Sequence, residues 1–186
     1  MKQVHDSKVF LAKTNTRGRG AFDYAGAIDG YDAIVTIERF IPLAVFTADC
    51  LSVFIYDLKR RAAGIVHAGW RGTKGGIVGG VLKFMQDSFS SRPQDMLCAL
   101  GASIRSCCYE VGPEFKNYFS QGLIERGSKV FLDLAGLNYS QLLEAGVPAE
   151  NITDSCLCTF CQKDDFFSYR RDGAAAGRMM SVIMLA

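Results

Sequence analysis

Cys50 and His67 are the residues whose types and placement first suggest chemistry. Thr47-Ala48-Asp49-Cys50 closes one apolar run, and His67-Ala68-Gly69-Trp70-Arg71-Gly72 closes another. The chain holds only two histidines, and the second, His5, lies just before a short N-terminal apolar stretch. One thiolate and two imidazoles form a complete protein shell for a catalytic zinc, with a position left open for water or substrate. A metal in such a shell lowers the pKa of the thiol and of a bound water, generating a nucleophile at neutral pH. The same residues admit a nucleophilic reading, with Cys50 as thiolate, His67 as its base and Asp49 as orienter. They also admit a bland one, in which Cys50 is a small buried hydrophobe and His67 is only hydrogen-bonded. Spacing leaves all three open, and nothing in it brings His5 to the other two.

A second set of chemistry-bearing residues lies near the C-terminus. Phe166-Phe167-Ser168-Tyr169-Arg170-Arg171-Asp172, followed by Gly177-Arg178, gathers three arginines, two hydroxyls and several aromatics. A guanidinium fork suits phosphate or carboxylate, and an aromatic ring suits a base. Trp70 and Arg71, close behind His67, repeat that pairing. The alternative is a loop held by Arg–Asp ion pairs. No G-x-G-x-x-G follows a strand and no G-x-x-x-x-G-K-[ST] occurs, so no familiar nucleotide-cofactor loop is indicated. Among the other cysteines, Cys158 and Cys161 form C-x-x-C beside Cys156, without the second pair of a zinc ribbon, and read as reduced structural thiols. Cys107 and Cys108 are adjacent, a poor arrangement for chelating one ion, and read as packing or loop residues.

The elements that must position these residues are mainly strands. Val9–Ala12, Asp32–Thr36, Leu43–Thr47, Leu51–Tyr56, Ala62–Val66 and Met96–Leu100 are short apolar runs separated by turn signals, the pattern of strands covered on both faces. Thr73 is placed to cap a helix with Ile77, Val81, Leu82, Met85 and Phe89 at helical spacing. Pro113 opens a helix through Phe115 and Phe119. Asp133 caps another, carrying Leu134, Leu137, Leu142 and Leu143 and stopping at Gly146. A strand follows Val147–Ile152, and Arg178–Leu185 forms the last one. With no repeat, linker or low-complexity tract, the expectation is a single mixed α/β domain.

A chain of 186 residues, 49% hydrophobic and 22% charged, can bury a core without disulfides. A net charge of +2 argues against a nucleic-acid or anionic-membrane partner, and no apolar run reaches the length of a membrane span. The first residues lack the apolar core of a signal peptide. Seven scattered cysteines, an odd number, then point to thiols in a reducing cytoplasm.

Taken together, Gln3-Val4-His5, Thr47-Ala48-Asp49-Cys50-Leu51, the His67–Gly72 motif, Cys108-Tyr109-Glu110-Val111-Gly112 and Phe166–Asp172 resemble the YfiH/laccase-domain family, in that family's order and across almost the whole chain. The resemblance implies an α/β (α+β) layered α-β-β-α sandwich with mixed sheets. It implies one domain over residues 1–186, lacking the N-terminal extension that members usually carry before Q-V-H. It implies His5, Cys50 and His67 as ligands of Zn2+, with Cu2+ as the alternative, and Asp49 beside Cys50 and His67 in catalysis. Arg71, Tyr169, Arg170 and Arg171 are the expected substrate and phosphate residues. The implied activity is phosphorolysis of adenosine, inosine and methylthioadenosine, with adenosine deamination, by a monomer or weak homodimer. The alternatives are a copper-dependent, laccase-like polyphenol oxidase acting on phenols and a Cys–His thiol hydrolase. Asp6 and Ser52 stand where glycine and proline are common in the family, and neither is an expected ligand.

Overall fold

A computed structural model describes residues 1–186. In chain order the strands are β1 (Val9–Leu11), β2 (Ala33–Thr36), β3 (Leu43–Thr47), β4 (Leu51–Asp57), β5 (Ala62–Ala68) and β6 (Met96–Leu100). They continue with β7 (Glu110–Val111), β8 (Leu123–Arg126), β9 (Lys129–Leu132), β10 (Ile152–Asp154) and β11 (Met179–Ile183). The helices are α1 (Trp70–Lys74), α2 (Ile77–Phe89), α3 (Leu134–Glu144) and the single turn α4 (Tyr169–Asp172).

Six strands form a mixed sheet in the order β1-β2-β5-β4-β6-β10. β2 and β5 are buried at every residue, as apolar runs covered on both faces should be. Alternation along the strands divides the core. Ala33, Val35, Val53 and Val66 face α2 and α3, where they meet Val81, Leu82, Met85 and Leu142. Ile34, Ala63 and Ile65 face the other way, onto Leu43 and Val45 of β3 and Leu185 beyond β11. The layers therefore run helix, six-stranded sheet and antiparallel β3–β11 pair, with the small β7-β9-β8 sheet completing the mixed α/β architecture. Gly64 permits the close helix approach, because a Cβ there would lie 3.2 Å from Val35 Cγ1 and 3.5 Å from Met85 Sδ. No helix is long and apolar enough to cross a membrane.

Two local expectations change, and one element appears that none anticipated. Thr73 does not cap the long helix: it lies inside α1, and Gly76, in the left-handed region at φ 70°, separates α1 from α2. The Thr73 hydroxyl instead accepts a hydrogen bond from Asn138 of α3 at 2.9 Å, which gives the buried amide a partner. Pro113 opens only a 3-10 turn, Pro113–Asn117, after which Tyr118 stacks on Trp70 with ring centroids 5.5 Å apart. The β8–β9 hairpin, turning at Gly127 with φ 61°, has no strong apolar alternation. Its partly exposed strands explain why it carried no strand signal.

Ile55 lies in β4, fully buried in the core cluster that faces the helices. Ile55→Ala is expected to lower unfolding free energy by about 2–5 kcal/mol, the range for truncating a buried aliphatic side chain. Leu97→Ala, at a position 41% exposed, is expected to change it by less than about 0.5 kcal/mol. Chemical denaturation of both variants checks this.

Candidate metal centre

Cys50 and His67 meet because β4 and β5 are antiparallel. Leu51 pairs with Ala68, and Ser52 with His67. Cys50, one residue outside this ladder, therefore lies beside Gly69. A Cβ on Gly69 would come within 3.0 Å of Cys50 Sγ and 2.9 Å of His5 Cδ2, so only glycine leaves room for both.

His5 is recruited from the N-terminal segment by two devices. The Gln3 side-chain amide pairs with the Phe46 backbone in both directions, at 2.8 Å each, and ties the segment to β3. Asp32, fully buried just before β2, then accepts the backbone N–H groups of Val4, His5 and Asp6 at 3.1, 3.0 and 2.8 Å. His5 itself lies in the left-handed region at φ 61°, and its ring meets that of His67 edge to face with centroids 4.8 Å apart. The same Asp32 carboxylate accepts His67 Nδ1–H at 2.7 Å, which directs Nε2 to the opposite side of the ring. One buried carboxylate thus orients one imidazole directly and the other through its backbone.

The result is a cluster in which the ligand atoms of His5, Cys50 and His67 all lie within 4.8 Å of one another. Cys50 Sγ is 3.9 Å from His5 Nε2. Two imidazoles and a thiol, one imidazole backed by a carboxylate, match the donor set and outer partner of a zinc site. Burial alone would raise the Cys50 thiol pKa, but hydrogen bonds with His5 and His67 outweigh it and bring the thiol to about 7. Burial likewise pushes His67 down, and the bond to Asp32, reinforced by Cys50, outweighs it and lifts the imidazole to about 9. Asp32 is held below its ordinary value despite burial, by His67 and the amides of Asp6 and His5.

The cluster lies in the wall of a cavity of about 690 Å³. Asp49, Tyr169 and Arg170 line this cavity, as does Arg178, which belongs to the same arginine group in the sequence. Asp49 is in the left-handed region at φ 86°. Its carboxylate accepts bonds from Thr159 Oγ1 at 2.6 Å, Ser168 Oγ at 3.1 Å and the Arg170 backbone at 2.6 Å. So engaged, Asp49 holds the loop that carries Tyr169 and Arg170. Two expected substrate residues lie elsewhere. The Arg71 guanidinium stacks over Trp70 at 4.4 Å, outside the cavity lining. Arg171 donates to the carbonyls of Thr159, Phe160 and Phe166 and pairs with Asp172, leaving no free fork for a phosphate. Sequence reasoning passed over Asp32 and Tyr109. The signal for Asp32 was an acid abutting the run Ala33-Ile34-Val35, where a charge must find partners to be buried.

Asp32→Asn keeps the shape but removes the charge behind His67, and is expected to weaken Zn2+ binding by about 10–100-fold in chelator competition. Metal uptake needs neutral His67 and Cys50 thiolate. Proton release is therefore expected from both groups below about 7 and from His67 alone between about 7 and about 9, so affinity rises with pH. Calorimetry in buffers of different ionisation enthalpy measures that release. In the metal-free protein the raised His67 has the opposite effect on folding. Its stabilisation is complete below the ordinary imidazole value of 6.5 and is lost as pH rises through about 9. The lowered Cys50 thiol adds stability as pH rises from about 7 to its ordinary value of 9, so the two offset and denaturation is expected to show nearly level stability between about 7 and 9.

Comparison with known proteins shows the family to which the chain belongs. The family described as "Multi-copper polyphenol oxidoreductase laccase" matches residues 1–186. The purine nucleoside phosphorylase YlmD of Geobacillus stearothermophilus is 36% identical, over 98% of this chain and 70% of the relative. The adenosine deaminase RL5, from an unknown prokaryotic organism, is 34% identical over 98% of this chain and 72% of the relative. The crystal structure of the hypothetical protein YfiH of Bacillus licheniformis superposes with a TM-score of 0.95 at 34% identity, covering 99% of this chain and 72% of that one. With the whole chain matched and relatives above 30% identity, the protein belongs to the YfiH/laccase-domain family.

Proposed function

We propose that the chain is a zinc-dependent purine nucleoside phosphorylase, acting on adenosine, inosine and methylthioadenosine, with adenosine deaminase activity. The observation that carries this reading is the convergence of His5, Cys50 and His67 on a cavity lined by tyrosines and arginines. The names of the relatives add phosphorolysis and deamination to it. In phosphorolysis a phosphate oxygen bonds to the ribose C1′ as the C1′–N9 bond breaks, and the electron pair leaves with the purine. In deamination water adds at C6 and ammonia departs. Bound Zn2+ would supply Lewis acidity and lower the pKa of water at the site.

The residues of the chain supply orientation and charge. Arg170 and Arg178 set positive charge against a phosphate, and Arg170 is fixed by a 2.7 Å bond to the Glu110 carbonyl. Tyr109 and Tyr169 offer ring faces to the purine, each with a guanidinium above it, at 5.4 and 5.9 Å respectively. His67 is held in one orientation by Asp32, so little is lost in ordering it when substrate binds. Asp49 acts by holding Arg170 in register with the metal ligands.

The phenol-oxidase reading draws on the family description, but two histidines are few for a multicopper cluster. The test is turnover of adenosine plus phosphate in protein of measured zinc and copper content, following adenine, inosine and ribose 1-phosphate. Cys50→Ala is expected to lose both the metal and nucleoside turnover. Arg170→Ala is expected to raise KM for phosphate by about tenfold, equivalent to about 1.4 kcal/mol, with zinc content unchanged. Oxidation of a phenol without nucleoside turnover would replace this reading with the copper oxidase. Full activity after exhaustive chelation, lost on thiol alkylation, would replace it with the Cys–His hydrolase.

A further inference from the structure

Cys107, Cys108, Cys158 and Cys161 come from two separate segments, yet their sulfur atoms all lie within 4.8 Å of one another. The adjacent pair, read from sequence as packing residues, sits on a turn whose Cys108 amide donates to the Arg105 carbonyl at 2.9 Å. The C-x-x-C pair forms a second turn, anchored by the Ser103–Cys158 bridge and by Gln162 N–H donating to the Cys158 carbonyl at 3.1 Å. Cys161 Sγ lies 3.8 Å from Cys107 Sγ and 3.3 Å from Cys108 Sγ. A disulfide could join Cys161 to only one of these. A single tetrahedral ion uses all four, since Zn–S bonds of about 2.3 Å place the sulfurs about 3.8 Å apart.

We propose that these four cysteines hold a second zinc ion, separate from the His5–Cys50–His67 centre, in a closed structural site. Four thiolates leave no position for substrate, which is the mark of a structural rather than a catalytic zinc. Binding replaces each S–H bond with an S–Zn bond and releases the protons to solvent, with no change of oxidation state. Two guanidiniums stand nearby. Arg105 bonds to the Leu157 carbonyl and pairs with Asp154 at 2.6 Å, and Arg126 donates to the Ser106 carbonyl at 3.0 Å.

The site also has a mechanical role. Residues 155–168 contain no helix or strand, and irregular segments of that length within a fold normally serve a function. This one carries Thr159, whose hydroxyl bonds to Asp49 next to Cys50, and the carbonyls that hold Arg171. A zinc cross-link between this segment and the Cys107–Cys108 turn would fix Thr159, and through it the Asp49 carboxylate.

Zinc itself is the probe. After reconstitution with Zn2+ and dialysis, the wild-type chain is expected to hold about two equivalents and Cys50→Ala about one. Cobalt-substituted Cys50→Ala should show strong thiolate-to-cobalt charge transfer, because its remaining site is all sulfur. Cys158→Ser/Cys161→Ser should hold about one equivalent and melt at a lower temperature than the wild type. A Cys50→Ala chain with a native circular dichroism spectrum and no zinc would overturn the proposal, even if the double variant fails to fold. A wild-type chain with about one zinc and a Cys161 disulfide, seen by mass spectrometry after reduced purification, would overturn it equally.

Discussion

The Asp32 carboxylate is the interaction on which the site depends. It is fully buried and accepts three backbone amides from the N-terminal segment together with the His67 imidazole. Removing one partner of such a buried charged pair typically costs about 3–5 kcal/mol, because the remaining charge stays desolvated. The carboxylate is tolerated there because its oxygens are supplied with donors, and those donors bring His5 to β5. Without it, the segment 1–7 would be tied down mainly by Gln3 on β3 and by the Lys2 backbone on the loop before β2.

A second carboxylate, on the residue preceding Cys50, plays a matching role. Asp49 gathers Thr159, Ser168 and the Arg170 amide, so the C-terminal loops are held from the end of β3 just as the N-terminal segment is held from the start of β2. The rigid part between them is the antiparallel β4–β5 pair, whose register sets Cys50 next to Gly69. Cys50 and His67 thus sit at the ends of buried strands, His5 is held to them through Asp32, and the cavity-lining Tyr169 and Arg170 sit on a loop fixed by hydrogen bonds to the Asp49 carboxylate. The four-cysteine cluster extends this arrangement, since the loop it would clamp is the one that supplies Thr159.

Several of the strands and helix caps were legible. The runs Leu43–Thr47 and Met96–Leu100 became β3 and β6 with the same limits, and Asp133 caps α3 by accepting from the Gly136 amide. Such elements declare themselves because apolar periodicity and cap chemistry act over a few residues. The β8–β9 hairpin was not legible, because β8 is partly exposed along its whole length and the alternation of β9 covers only four residues. The break between α1 and α2 depended on which of several glycines would adopt a left-handed conformation, a choice settled by Thr73 contacting α3.

The amino-acid sequence by itself determined the kinds of donor available: one thiol after a buried run, two imidazoles, a group of arginines and a set of spare cysteines. Only the tertiary structure decided how they are used. It brings His5 to His67 through Asp32, across sequence separations of 27 and 35 residues. It turns Arg171 inward onto carbonyls while leaving Arg178 on the cavity wall. It also collects Cys107 and Cys108 with Cys158 and Cys161. The reason is the range of the forces. Periodicity and propensity are read from neighbours along the chain, whereas the partners of a buried charge or a thiol cluster are chosen by what the packed sheet brings within a few ångströms.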